Sequence, residues 1–135
     1  MSDVRKEADR WLAQASREME AGQSLLEHGF YWLVCFQAHQ VAERAIKGYL
    51  WGVGDPAPRI NSIVELATQA AKHCAGLRDI APVACRLDQD FYQTRHPDLI
   101  PGGVPADQFT RSQALEALDR AQYVLSVVKE ALEDG

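Results

Sequence analysis

Two stretches of this sequence hold side chains able to grip an anion or move a proton. The first is Leu87 to Asp98, where Phe91 and Tyr92 are followed directly by Thr94, Arg95 and His96. An arginine presents a planar fork that matches phosphate or carboxylate, and a histidine beside it titrates near neutral pH. The same Arg95 could instead pair with Asp88, Asp98 or Glu43 and pin its segment to the rest of the chain; both roles stand at this point. The second stretch is the polar half of a helix expected over residues 30–51, made of Gln37, His39, Gln40, Glu43, Arg44 and Lys47. Glu43 and Lys47 are four apart in the order that favours an ion pair on one helix face. Such a stripe reads most simply as a solvated face. A central helix is normally covered by its neighbours, however, so the stripe could also line a groove. His39 and Glu43 could share a metal, but no third ligand is in evidence, so they read as an exposed polar pair and no metal or cofactor is expected. Gly-rich phosphate loops, H-E-x-x-H and G-x-S-x-G are missing.

The elements that must position these residues are all helices. Ala8, Leu12, Ala15, Met19, Gly22 and Leu26 alternate four and three apart, which predicts one helix face over residues 3–28. Gly29 supplies a left-handed end to it and a tight reversal into the next helix. There Val34, Cys35, Ala38, Val41, Ala42, Ala45, Ile46, Gly48 and Tyr49 fill one half of the helical wheel. The first turn, Phe30 to Leu33, is apolar all round and is expected to be buried on every side. Ser62-Ile63-Val64-Glu65 is a capping box that opens a third helix with Ile63, Leu66, Ala67, Ala70 and Cys74 inward, closed by Gly76. Pro82 suits the first turn of a fourth helix that buries Ala84, Leu87 and Phe91. Thr94 to Asp107, rich in Pro and Gly, reads as a long loop. Thr110-x-x-Gln113 is a second capping box, and Leu115, Leu118, Ala121, Leu125, Val128 and Leu132 line the closing helix. The expected fold is all-α: an up-and-down bundle of four to five helices, as one domain over residues 1–135. Leu12, Met19, Ala38, Ala45, Leu118 and Leu125 are expected in its core.

Composition narrows the function classes. A chain of 135 residues with 47% hydrophobic and 24% charged residues is ordinary for one globular domain. The net charge of -5 disfavours non-specific binding to phosphate backbones or anionic membranes, without excluding a local basic site. Cys35, Cys74 and Cys85 have no C-x-x-C spacing and lie among apolar residues, so reduced, structural thiols are expected. Met1 to Arg10 has no apolar signal region, and the run Phe30 to Phe36 is far too short to span a membrane. A cytoplasmic protein without a membrane partner is expected.

The run Cys35-Phe36-Gln37-Ala38-His39-Gln40-Val41-Ala42-Glu43-Arg44-Ala45-Ile46-Lys47 resembles the signature helix of the HEPN family (higher eukaryote and prokaryote nucleotide-binding domain), roughly C-F-x-A-Q-Q-A-A-E-K-A-L-K. Leu87-Asp88 followed by Thr94-Arg95-His96-Pro97-Asp98 resembles the family's later L-D…T-R-Y-P-D segment. Trp11-Leu12-x-Gln14-Ala15 and Phe109-Thr110-x-x-x-Ala114-x-x-Ala117-Leu118 also fit, so the likeness runs along nearly the whole chain in order. The resemblance implies a helical bundle, commonly a homodimer, often encoded beside a minimal nucleotidyltransferase and proposed to bind nucleotide or RNA. By position, Gln40, Glu43 and Lys47 match the signature helix, and Asp88, Arg95 and Asp98 match the later segment.

The departures bear on catalysis. Ribonucleases of the family, including toxins of toxin–antitoxin pairs, use an R-x(4-6)-H motif. None of His28, His39, His73 or His96 has an arginine five to seven positions before it, and Arg95 and His96 are adjacent. A G-H-S-like start to the third helix is replaced here by Ile60-Asn61-Ser62. The expectation is therefore a non-catalytic module with no catalytic residues. It would bind a nucleotide or RNA end, or a minimal nucleotidyltransferase, as a homodimer. Its ligand site would draw on Arg95, His96, Asp98, Asp88, Gln40, Glu43 and Lys47. The alternatives are a toxin-type metal-independent ribonuclease and a pure interaction scaffold.

Overall fold

A computed structural model describes residues 3–134 of the chain. It comprises α1 (Asp3–Glu27), α2 (Tyr31–Gly52), α3 (Ile63–Ala71), α4 (Ala81–Arg95) and α5 (Arg111–Asp134), with no strand among the described residues. The polar start at Met1 and Ser2, and Gly135, lie outside them. Short 3₁₀ segments at Ala75–Ile80, Pro97–Leu99 and Pro105–Asp107 fill the connections.

The α1–α2 reversal works as its sequence demands. Gly29 has φ +79°, a conformation that costs a side-chain-bearing residue strain, and Phe30 N–H closes the turn onto the Leu25 carbonyl at 3.1 Å. α2 is the central element, against which α1, α5, α4 and α3 all pack. Its inward half, from Val34 through Leu50, is almost fully removed from water. Each small residue there lets a neighbour close in. A Cβ on Gly48 would stand 2.9 Å from Trp11 Cβ, so α1 meets α2 at Trp11 only because position 48 is glycine.

Helix ends follow the chemistry of orphan amides. Thr110 and Gln113 form a full capping box: Thr110 N–H donates to Gln113 Oε1 at 2.8 Å and Gln113 N–H donates to Thr110 Oγ1 at 3.2 Å. At α3 only half of the expected box forms. Ser62 Oγ accepts from Glu65 N–H at 3.2 Å, while the first two amides are taken by Asp88, reaching across from α4.

Several expectations need correction. α3 stops at Ala71, in a turn whose amides reach back three residues from Lys72 to Gln69 and from His73 to Ala70. Gly76 lies in the following 3₁₀ segment, and Cys74 is only half-buried. α4 runs on through Thr94 and Arg95, and Thr94 Oγ1 donates to the Phe91 carbonyl at 2.6 Å. Met19, Ala38, Ala45, Leu118 and Leu125 are buried, but Leu12 is half-buried and Leu115 exposed, since Ala114, Ala117 and Val124 take the inward positions of α5. Phe30 is 44% exposed and Tyr31, Trp32 and Leu33 are half-buried, because they sit at the tip of a helical hairpin where fewer helices surround them. Cys35 is buried as expected, whereas Cys85 is exposed.

Candidate functional site

The polar half of α2 is not a solvated face. His39 is fully buried, and Glu43 and Lys47 nearly so. Two helices cover the stripe. From one side α4 lays Phe91 on the His39 ring, centroids 4.0 Å apart and planes within 18°, and Phe36 stacks on Phe91 at 5.6 Å. From the other side α1 supplies Glu18, whose carboxylate accepts from Arg44 Nε at 3.1 Å and from Gln14 at 2.8 Å. Arg44 also donates to Glu43 at 2.6 Å and to Gln40 Oε1 at 3.0 Å, and Lys47 Nζ donates to Glu43 at 3.1 Å. Buried charges are costly unless paired and hydrogen-bonded; this ladder from Glu18 to Lys47 meets that condition by alternating sign.

By its spacing His39 reads as an exposed partner of Glu43, and it is neither exposed nor paired with Glu43. Its Nε2–H donates to Asp88 Oδ1 at 3.0 Å. Asp88 also accepts from the Ile63 and Val64 amides at 2.8 and 3.0 Å, and from Ser62 Oγ at 3.2 Å. Burial raises the Asp88 carboxyl, but the donors His39, Ile63 and Val64 outweigh it and hold the group below the usual carboxylate range. One carboxylate thus ties α2, α3 and α4 together and fixes the approach to α3.

That approach forms one wall of a cleft. Phe36, Gln40, Glu43 and Arg44 of α2 face Phe91, Tyr92, Arg95 and His96 at the end of α4, with Asn61 closing one side around about 530 Å³. An adjoining recess of about 510 Å³ shares Glu43, Asn61 and Tyr92 and adds Lys47, Arg59, Ser62 and Glu65. Arg95 is exposed, and among the described residues no carboxylate lies within ion-pair distance of it; its guanidinium sits 5.0 Å over the Phe36 ring instead. The pairing of Arg95 with Asp88, Asp98 or Glu43 does not occur. A guanidinium held over an aromatic face keeps N–H groups free for an anion. Cysteine chemistry finds no place here: burial and the nearby Asp90 push the Cys35 thiol up to about 12, so it remains protonated. No group of three side chains suited to a metal occurs among the described residues, and no described helix is long and apolar enough to cross a membrane.

Comparison with known proteins is decisive on the family. The HEPN domain model matches residues 8–131. The chain belongs to the HEPN family. A similar solved structure is TT1696 from Thermus thermophilus, at 37% identity over 92% of this chain and 97% of that one, with a TM-score of 0.86. ST0689, an archaeal HEPN homologue, is 32% identical over 93% of this chain and 98% of its own, with a TM-score of 0.78. No curated protein matches the sequence.

In this HEPN chain the expected site residues divide in two. Gln40, Glu43, Arg95 and His96 line the cleft and Lys47 the adjoining recess. Asp88 turns its oxygens to His39 and the α3 amides, and Asp98 is exposed on the 3₁₀ turn beyond the cleft. Residue patterns do not announce Arg59 and Asn61, which reach the recess and the cleft from the α2–α3 connection. Phe36 and Tyr92 are visible as aromatics, and only the crossing of α2 and α4 shows that they line one cleft.

Proposed function

We propose that this HEPN protein is a non-catalytic module that binds a nucleotide or an RNA end in the cleft between α2 and the end of α4. The observation that carries this reading is the state of Arg95: a carboxylate-free guanidinium seated on Phe36 beside His96, with Tyr92 on the same rim. Phosphate would meet Arg95 and His96, and a base would find the ring of Tyr92, which is exposed. Gln40 and Glu43, each with one oxygen held by Arg44, would offer an amide N–H₂ donor and the second carboxylate oxygen to the base's polar edge.

The non-catalytic part of the proposal rests on the four histidines. His39 lies buried under Phe91, His28 is bonded to the Ser24 carbonyl, and His73 faces Asp55. Only His96 lines the cleft, and its arginine is its chain neighbour rather than a spaced partner. Incubating the purified protein with RNA tests this. Cleavage that disappears in both Arg95→Ala and His96→Ala would establish the toxin-type ribonuclease instead.

A homodimer, and a minimal nucleotidyltransferase as a partner, belong to the same proposal. The half-exposed cluster Phe30 to Leu33 supports a protein contact, because exposed neighbouring aromatics on a small domain mark interaction surfaces. Isothermal titration with AMP and 5′-phosphorylated RNA, on wild type and Arg95→Ala, tests the ligand site. Binding by the wild type that the variant loses supports it, and absence of binding by both refutes it.

A further inference from the structure

A second groove runs along the outside of α1. It encloses about 550 Å³ and is lined by Arg10, Trp11, Gln14 and Arg17 with Glu7 and Ala13, and by Arg44 of α2. Arg44 also lines the cleft, so one side chain separates the two concavities. This is an unexpected place to find cations on a chain of net charge -5. Over cleft, recess and groove together, Arg10, Arg17, Arg44, Lys47, Arg59 and Arg95 outnumber the lining carboxylates Glu7, Glu43 and Glu65. The arginines of the groove differ in posture. Arg44 is fixed by Glu18, Glu43 and Gln40, while Arg10 and Arg17 are 81% and 80% exposed, in loose pairs with Glu7 at 3.3 Å and Glu20 at 3.9 Å. Such exposed pairs are weak and exchange readily for another anion. Trp11 lines the same groove, its Cβ packed over Gly48.

Cations spaced along a groove that an aromatic ring also lines suit a polymer with regularly spaced phosphates and stackable bases. We propose that the α1 groove is a second subsite, reached from the cleft across Arg44, and that the ligand is a single strand of RNA several nucleotides long, entered at Arg95 and followed over Arg44 to Arg17 and Arg10. This rests on the nucleotide reading of the cleft and extends it from a terminal nucleotide to a tract.

The test is fluorescence anisotropy with AMP as competitor and 5′-phosphorylated oligoribonucleotides of two, four and eight nucleotides. Wild type is compared with Arg10→Ala/Arg17→Ala and with Arg95→Ala. The two α1 arginines are exposed, so the double variant is expected to fold, which its melting temperature verifies. Affinity should rise with length up to the octamer. The double variant should weaken octamer binding about tenfold near 0.15 M salt and lower the salt slope by roughly 1.4, about 0.7 for each phosphate no longer neutralised. AMP binding should be unchanged in it, whereas Arg95→Ala should weaken AMP and octamer alike. Equal affinity for AMP and octamer, an octamer affinity untouched by the double variant, or equal competition by polyglutamate would overturn the α1 subsite while leaving the cleft intact. Failure of every RNA and of AMP to bind would overturn both, and that result is distinct from the others.

Discussion

Arg95 and Asp88 are seven residues apart on one helix, and their surroundings give them opposite work. Arg95 is exposed over an aromatic ring, an arrangement worth about 0.5–1 kcal/mol at such a site. Arg95→Ala should therefore shift the melting temperature little, which differential scanning calorimetry checks. Asp88 is buried and serves His39 and two helix amides at once. Asp88→Ala should cost on the order of 2–4 kcal/mol in urea unfolding, since losing a cap costs about 0.5–2 and stranding a buried polar partner about 1–3. Its carboxyl is held below the ordinary range, so its contribution is fully present above the unfolded value of about 3.9 and is lost as pH falls through the lower folded one. Acid unfolding followed by circular dichroism should lose part of its slope below about pH 4 in Asp88→Asn. A slope equal to wild type would show that the carboxylate's hydrogen bonds contribute nothing. The residue types at both positions are legible in the sequence as chemistry-bearing. Which of the two is structural is not, because that depends on what α3 and α2 bring within 3 Å.

At the scale of elements, helix periodicity serves well wherever one face meets one neighbour. α1, α3 and α4 have the inward residues that their spacing predicts, apart from the half-buried Leu12, Leu26 and Cys74 at the margins. α2 defeats the same logic. A hydrophobic wheel separates apolar from polar residues, and it equates polar with solvated; a helix with neighbours packed against its polar side as well breaks that equation by burying ion pairs and a stacked imidazole. The junction of α1 and α2 depends on a missing side chain, and its energetics are testable. Gly48→Ala sets a methyl 2.9 Å from Trp11 Cβ and should destabilise by about 1–3 kcal/mol through overpacking, despite alanine's better helix propensity. A gain in stability by chemical denaturation would show that α1 can move outward without cost.

For the whole molecule, the fold is readable almost entirely from pattern: five α-helices among the described residues, two of them joined by a glycine turn, around one core. Leu118 on α5 lies in that core beside Gly22 of α1, and Leu118→Ala should cost about 2–5 kcal/mol by leaving a cavity. The cleft is only half legible. Its α2 and α4 residues announce themselves by type and motif, but Asn61, and Arg59 of the adjoining recess, arrive from the α2–α3 connection by tertiary packing alone. Self-association is the other whole-molecule expectation. Sedimentation should show a species of twice the 15.0 kDa chain at micromolar concentration, and Phe30→Glu should dissociate it. A wild type that sediments only as one chain would refute the dimer.

Everything functional turns on whether Arg95 waits for a phosphate. Calorimetric titration of 5′-phosphorylated RNA into wild type and Arg95→Ala, with both melting temperatures recorded, decides it directly. Saturable binding by the wild type, weakened at least about tenfold in a variant that melts within a degree or two, is the predicted result, since a charged hydrogen-bond partner is worth about 1.5–3 kcal/mol. No binding by the wild type, or equal binding by the variant, would contradict a phosphate site in this cleft.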